Sequence, residues 1–169
     1  MARLPAVDLG LMAEHLSSHQ GAISKLRVYE HNVSLPELRK TLQLQRKIME
    51  AHVNVMLQLI NPNNTSYVEV PSLESLKKQI TNNQSQSNGS NNKWITLEAL
   101  SSAKSMSHRN FMSALMMQNK NVRDAHVKMA MQQLELMENY ERIAIEHNWT
   151  FTPMATYKEQ METYHAFKQ

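Results

Sequence analysis

Cysteine is absent from this chain of 169 residues. Its absence excludes disulfide bonds, thiolate nucleophiles and the zinc and iron–sulfur sites that cysteine builds. Glycine is scarce, with 3 residues, which disfavours a turn-rich sheet protein and phosphate-binding glycine loops. There is no run of about 18 apolar residues and no signal-peptide core at the N-terminus. We therefore expect a soluble protein that is made in the cytoplasm and does not bind membranes.

The charge of the chain is close to balanced. It has 18 basic and 15 acidic residues and a net charge of +3, and no basic run is longer than a pair such as Lys77 and Lys78. A nucleic-acid-binding surface needs a concentrated basic patch. The composition therefore favours a solvated surface of mixed charge without specific nucleic-acid binding, and weak binding to DNA is a minor alternative.

Helix-forming residues dominate the composition and predict an all-α protein with a single domain over residues 1–169. Apolar residues recur every three or four positions in four long segments. We predict helices at about 8–31, 35–60, 96–118 and 121–147. Ser34, Pro36 and Glu37 have the spacing of a capping box at the start of the second helix. The short connections within each pair of helices predict two antiparallel hairpins.

The same spacing predicts which residues face the core. They are Leu9, Met12, Leu16, His19, Ile23, Leu26 and Glu30 in the first helix; Leu38, Leu42, Gln45, Met49, His52, Met56 and Leu59 in the second; Leu97, Leu100, Phe111 and Leu115 in the third; and Val122, His126, Met129, Gln133, Leu136, Tyr140, Ile143 and His147 in the fourth.

The connection between the hairpins, residues 61–93, is far longer than a helix turn needs. A helix of about 25 residues is about 38 Å long, and some thirty residues allow the chain to travel back along it. This predicts a ferritin-like four-helix bundle, in which a crossover joins two antiparallel hairpins. The alternative is a polar insertion in an ordinary tight connection. We expect a short helix at Ser72–Thr81, a mobile polar run at 82–92 and an aromatic tail at 148–169.

Ferritin-like oxidases hold two metal ions with Glu-x-x-His motifs on two of their helices. No such motif occurs at a mid-helix position here. Glu50 with His52, and Asp124 with His126, are spaced by two residues, so the members of each pair project from different sides of a helix. The sequence therefore argues against a di-iron centre.

A weaker candidate metal site consists of one histidine on each long helix. These side chains fall on or near the inward stripes, and in the crossover topology they lie within about 10 Å of bundle depth. Neutral imidazole is a good ligand for zinc, copper or nickel. The four candidates are His19, His52, His108 and His126.

Hydrogen bonding is the more favoured interpretation of the inward polar residues. Gln45, Gln133, Lys104 and the histidines can form pairs that fix the register of the helices without a metal. His15, four residues before His19, could form a surface chelate with it, although chance spacing explains the pair as well.

Signals for catalysis are weak throughout the chain. There is no Gly-x-Ser-x-Gly motif, and we expect neither an enzyme nor a cofactor. The 13 methionines are more conspicuous. They fill a core by default, but methionine also builds adaptable binding surfaces. Met112, Met116 and Met117 make more than one face of the third helix apolar, which suggests burial against a second subunit or the tail.

The two hairpins, the polar residues within the stripes and the segment Glu146-His-Asn-Trp-Thr-Phe-Thr-Pro153 resemble the coat-protein-F-like family of bacterial spore coat proteins. Members likewise end their last bundle helix in a small or polar residue, an aromatic residue and a tail that contains proline. The resemblance implies a ferritin-like bundle without an established enzymatic role, made in the sporulating cell and associated with the spore coat. The long Asn- and Ser-rich crossover and His147-Asn148, where glycine is commoner, depart from the family pattern.

Two functions are therefore hypothesised. The first is a non-enzymatic structural or assembly protein of the spore-coat type. It would act through helix-face and tail contacts with itself or with other coat-type proteins, and it would have no small-molecule substrate. The second is a ferritin-like metal-binding protein that uses the buried histidines.

Overall fold

The computed structural model describes residues 3–80 and 91–168, and the regular elements in these ranges are helices. The long ones are α1 (Ala6–His31), α2 (Pro36–Ile60), α4 (Asn92–Met116) and α5 (Lys120–Glu146), and the short ones are α3 (Leu73–Lys77) and α6 (Tyr157–Phe167). The predicted all-α class is confirmed. None of the helices in the described ranges has the length and apolar character needed to cross a membrane.

Hydrogen bonds at the two ends of the bundle define its topology. At one end, Asp8 near the start of α1 accepts from the backbone N–H groups of Gln118 and Asn119, which lie between α4 and α5. At the other end, the side chain of Asn92 at the start of α4 bonds to Ser34, which precedes α2. Since α2 and α4 begin at the same end, the chain between them travels the length of the bundle, as predicted.

The described part of the crossover follows α5. Val68 exchanges two hydrogen bonds with the side chain of Asn121, in the first turn of that helix. Three residues later, the backbone oxygen of Pro71 accepts from Gln132, near the middle of the same helix. The described part of the crossover is therefore packed against α5. The alternative of a polar insertion in a tight connection is wrong, because α2 and α4 begin at the same end of the bundle.

The start of α2 differs from the prediction. Pro36 occupies its first turn, where a missing N–H costs nothing, but the N-cap is Leu35 and no side chain caps the helix. Ser34 lies one residue too early to act as the cap. Its hydroxyl instead accepts from Asn92, and its backbone N–H donates to the same side chain. The predicted capping box is thus wrong, because its serine joins two helix starts.

Other predicted boundaries are corrected as well. α4 begins at Asn92, four residues before the predicted start, because Ile95 is a fully buried core residue and Asn92 is held by the contact to Ser34. Asn92 is therefore helical, and the rest of the predicted mobile run, 82–90, lies outside the described residues. The crossover helix ends at Lys77. The predicted tail contains α6, which begins with a complete capping box formed by Thr156 and Glu159.

The predicted core stripes of α2 and α5 are largely confirmed. Every predicted core residue of these two helices is buried except Leu59, which is half-buried, and His147, which is exposed. In α1 the stripe is shifted by about one residue at its start, because Leu9 is 46% exposed while Asp8 is fully buried.

The core face of α4 was predicted wrongly. Phe111 and Leu115 are 46% and 66% exposed, and Leu97 and Leu100 are only half-buried. The buried positions are mostly small or polar: Ile95, Thr96, Ala99, Ala103, Met106, Asn110, Ser113 and Ala114. Small side chains allow close helix packing but contribute little to an apolar stripe, so hydrophobic periodicity selects the wrong side of this helix.

The end of α5 is set by one left-handed residue. Asn148 has a φ of 55°, a conformation that asparagine tolerates better than other residues with side chains. The N–H of Trp149 then reaches the oxygen of Ala144 at 2.8 Å, and the N–H of Asn148 reaches that of Ile145 at 3.0 Å. These two bonds form a Schellman motif, which turns Trp149 back against the apolar core.

Candidate functional site: a buried histidine cluster and an exposed apolar patch

Histidines from three helices meet inside the bundle. His15 and His19 lie on α1, His52 on α2 and His126 on α5, and their exposed fractions are 8%, 2%, 0% and 0%. The ring centroids of His15 lie 5.2 Å from His126 and 6.2 Å from His19, and those of His19 and His52 are 5.5 Å apart. Three of the four predicted site residues, His19, His52 and His126, are thus brought into one cluster.

The fourth predicted site residue, His108, is exposed on α4, and its predicted inward position is wrong. Its neighbours Met106 and Asn110 take the buried positions, so His108 projects from another side of the helix. His15, expected at the surface, is the fourth member of the cluster instead.

A chain of hydrogen bonds links the crossover to α1 through the cluster. Gln132 donates from Nε2 to the backbone oxygen of Pro71 at 2.7 Å. Its Oε1 faces Nε2 of His52 at 2.8 Å, and Nδ1 of His52 faces Nε2 of His19 at 3.3 Å. At the far end, Nδ1 of His19 donates to the backbone oxygen of His15 at 2.7 Å. Four segments of the chain are therefore joined through two imidazole rings.

The other two rings leave polar atoms unpaired. His126 donates from Nδ1 to the oxygen of Val122 at 2.8 Å, and Nε2 of His15 bonds the hydroxyl of Ser113 at 2.9 Å. Nε2 of His126, Nδ1 of His15 and Oδ1 of Asn110 are buried without a hydrogen-bond partner among the described residues. A cavity just large enough for one water molecule adjoins His15 and Asn110, which suits a water that bridges Nδ1 of His15 and Oδ1 of Asn110.

Burial lowers the pKa of the whole cluster. Removal from water lowers the pKa of His19 from 6.5 to about 3, with a smaller contribution from neighbouring His52. Burial lowers the pKa of His52 and of His126 to about 4, and it lowers the pKa of His15 as well. At neutral pH the rings are therefore uncharged, as their close approach to one another requires.

The cluster is poorly arranged as a metal site. No group of three or more His, Asp or Glu side chains within residues 3–80 and 91–168 has an arrangement that could hold a metal ion. The 3.3 Å between the facing nitrogens of His19 and His52 is also too short, because an ion bridging them in line would need about 4 Å at about 2.0 Å per bond. The observed geometry is that of a hydrogen-bonded cluster.

Polar pairing in the core, the favoured sequence interpretation, is observed in part. Tyr140 donates to Oε1 of Gln45 at 2.8 Å, and both side chains are buried. Gln133 is buried and its Nε2 lies 3.2 Å from the sulfur of Met49. Lys104, in contrast, is exposed and takes no part.

Sequence reasoning missed two residues that hold the structure together. Asp8 is fully buried and binds two backbone N–H groups of the connection between α4 and α5. Gln132 holds both the crossover and His52. Their contacts span between 61 and 111 residues of sequence, and no local spacing signals such partners.

A second feature is an exposed apolar surface. Phe111, Met112, Leu115 and Met116 on α4, here called the α4 patch, are exposed by 46%, 46%, 66% and 53%. They lie within six consecutive positions, about one and a half helical turns. The patch is at the end of the bundle where Asp8 binds the α4–α5 connection.

The tail, residues 148–168, carries further uncovered apolar side chains. Phe151, Met154, Tyr157 and Phe167 are 79% exposed or more, and no residue of α6 is buried. Trp149, half-buried, is the point at which the tail leaves the bundle.

Comparison with known proteins finds a match in fold but none in sequence. No protein-family model and no curated protein matches this chain. The structure does match that of a "putative spore coat protein" from Bacillus halodurans C-125, with a TM-score of 0.70 over 92% of this chain and 96% of the other. The two chains share a fold. Their sequences are 11% identical, so the likeness concerns the fold alone, and membership of the coat-protein-F-like family stays a prediction.

Proposed function

We propose that this chain is a non-enzymatic structural protein of the spore-coat type, which works by associating with further copies of itself. The observation that carries the proposal is the α4 patch, where four large apolar side chains are exposed side by side. Contiguous exposed apolar surface of this kind marks association sites in soluble proteins. The shared fold with a protein named for the spore coat supports the type of function.

The tail supplies a surface that complements the patch. The patch lies at the end where α5 begins, whereas the tail departs from the end where α5 finishes, about 40 Å away for a helix of 27 residues. Residues 148–156 span at most about 30 Å when fully extended, so Phe151 and Met154 within them cannot reach the patch of their own chain. An antiparallel second copy would bring its own patch beside the tail without such stretching, so we take a second copy as the partner.

The oligomeric state tests this proposal. Full-length protein should form dimers or larger species in size-exclusion chromatography with light scattering, at concentrations of tens of micromolar. Met112→Gln with Leu115→Ser should shift it to monomer, and Phe151→Ser with Phe167→Ser should act in the same direction. Val28→Ser is the matched control, because Val28 is equally exposed, at 59%, on a different helix. Wild-type protein that is monomeric at every concentration would end the proposal.

The spore coat as the location is tested separately. In spores of the organism that makes this chain, an antibody should detect it in the extracted coat fraction and not in the core fraction. Detection only in vegetative cells would remove the spore-coat part of the proposal while leaving self-association standing.

The second hypothesised function, metal binding, is supported by one nitrogen alone, against the arrangement of the cluster as a whole. Nε2 of His126 is a buried nitrogen with a free lone pair, since its Nδ1 donates to Val122. Elemental analysis of untagged protein, compared with His52→Ala and His126→Ala, tests this function. A metal content that falls in both variants would support it, and metal-free protein whose melting temperature is unchanged by zinc would end it.

A further inference from the structure

The chain of hydrogen bonds through His19 and His52 has one donor too few, because no hydrogen lies between the two rings. The backbone oxygen of His15 and Oε1 of Gln132 can only accept, so Nδ1 of His19 and Nε2 of His52 must each carry a hydrogen. A neutral imidazole has a single N–H. The two remaining nitrogens, Nε2 of His19 and Nδ1 of His52, therefore face each other at 3.3 Å with a lone pair each.

Reversing the amide of Gln132 does not remove this mismatch. Its Nε2 donates to the oxygen of Pro71 at 2.7 Å, and the reversed amide would place two oxygens at that distance. The orientation is thus fixed by a backbone group that cannot change its role. Water does not supply the missing hydrogen easily either, since His19 and His52 are 2% and 0% exposed.

We propose that the His19–His52 pair is a buried proton-binding site, which takes up one proton between Nε2 of His19 and Nδ1 of His52 when the pH falls. The proton comes from water, forms an N–H bond with one ring and a hydrogen bond with the other, and raises the charge of the pair from zero to +1. No other group changes its bonds. Every donor and acceptor from Pro71 to His15 is then paired.

The charged and titratable groups around the pair set the pH at which it binds the proton. The titratable groups that act on the pair are His15 on α1 and His126 on α5, and both oppose a positive charge. On α4, Arg109 lines the small cavity beside His15 and His19 and lowers the pKa of His15. Within the described residues, no charged group of α2 or the crossover shifts the pKa of either ring. Because burial also lowers the pKa of both rings, the site is empty at neutral pH.

The pair differs from His126, whose own ring is buried as deeply. A proton on Nε2 of His126 would meet no acceptor among the described residues, whereas a proton on the pair is shared by two nitrogens already in place. The pair should therefore fill first. Because the hydrogen-bonded chain ends on the backbone oxygen of Pro71, proton uptake by the pair would act on the crossover as well as on α1.

Nitrogen NMR of the imidazole rings, combined with a proton-uptake titration, tests the proposal. As the pH falls from 6.5 toward 3, Nε2 of His19 and Nδ1 of His52 should move together from the range of unprotonated to that of protonated nitrogen, and they should do so before Nε2 of His126 is protonated. Circular dichroism must show the folded helices over the same range.

His19→Gln separates the proposal from general acid effects. A glutamine amide can donate to Nδ1 of His52 without any added proton. The folded variant should take up about one proton fewer than wild type between pH 6.5 and 3, whereas in the control His126→Gln the two facing nitrogens should still move together as in wild type. Equal uptake by His19→Gln and wild type, separate titration of the two nitrogens, or unfolding before either nitrogen moves would each overturn the proposal.

Discussion

Asp8 should be among the most sensitive single positions for stability. Its two carboxylate oxygens accept from the N–H groups of Gln118 and Asn119 at 2.9 and 2.8 Å, and the side chain is fully buried. Hydrogen bonds to charged groups contribute about 1.5–3 kcal/mol each, and an unpaired buried donor costs a similar amount. Asp8→Ala should therefore lower the free energy of unfolding by about 4 kcal/mol.

The isosteric change Asp8→Asn should remove about half of this contribution to the free energy of unfolding. The amide keeps one acceptor oxygen but turns an NH₂ toward the second backbone donor, so one bond is lost and the cost should be about 2 kcal/mol. Urea unfolding followed by circular dichroism measures both variants. With a slope of about 2 kcal/mol/M, the midpoints should fall by about 2 M and about 1 M.

Glu14→Gln is the matched control, because Glu14 is an exposed carboxylate on the same helix. It should leave the midpoint within about 0.3 M, as expected of a surface change. An Asp8→Ala midpoint that falls by no more than the control would refute the view that this carboxylate joins α1 to the α4–α5 connection.

Three further changes have definite expected outcomes. Tyr140→Phe leaves Oε1 of Gln45 buried and unpaired, so the free energy of unfolding in urea should fall by about 1–2 kcal/mol. Adding Gln45→Leu removes the unpaired oxygen and should recover part of this loss. No recovery would contradict the pairing. Asn148 has a φ of 55°, so Asn148→Gly should raise the melting temperature and Asn148→Ala should lower it, with a loss of about 1 kcal/mol in the free energy of unfolding for Ala. The reverse order would be inconsistent with the left-handed turn. Burial lowers the pKa of His126 from 6.5 to about 4, so its contribution to stability is complete above pH 6.5 and is lost as the pH falls toward 4. Because the other buried histidines lose stability over the same range, the quantity to measure is a difference: His126→Gln should lose about 3 kcal/mol less than wild type, and equal losses would count against the prediction.

The architecture was predictable because it depends on chain length and on apolar spacing. The stripe of α2, from Leu38 to Met56, combines large apolar residues with regular spacing, and it is buried as predicted. The crossover followed from comparing the length of residues 61–93 with the length of a helix. Both signals are local, or need only a count of residues.

The site was less predictable because its contacts are not local. α4 buries Ala99, Ala103 and Ala114 and exposes Phe111 and Leu115, so its stripe pointed to the wrong face and placed His108 inside. For the same reason Phe111 and Leu115 were expected in the core, whereas both are exposed. Pairing partners such as Gln132 for His52 depend on how the crossover settles against α5, which periodicity does not report.

The crossover also has a consequence for how the chain folds. Contacts within each hairpin join residues close in sequence, and such loops close at low entropic cost. The bonds that lock the hairpins together, from Asp8 to Gln118 and from Ser34 to Asn92, join residues 110 and 58 positions apart. We therefore expect each hairpin to form early and the docking of the two to limit the folding rate. Substitutions at Asp8 should then speed unfolding far more than they slow the formation of helix.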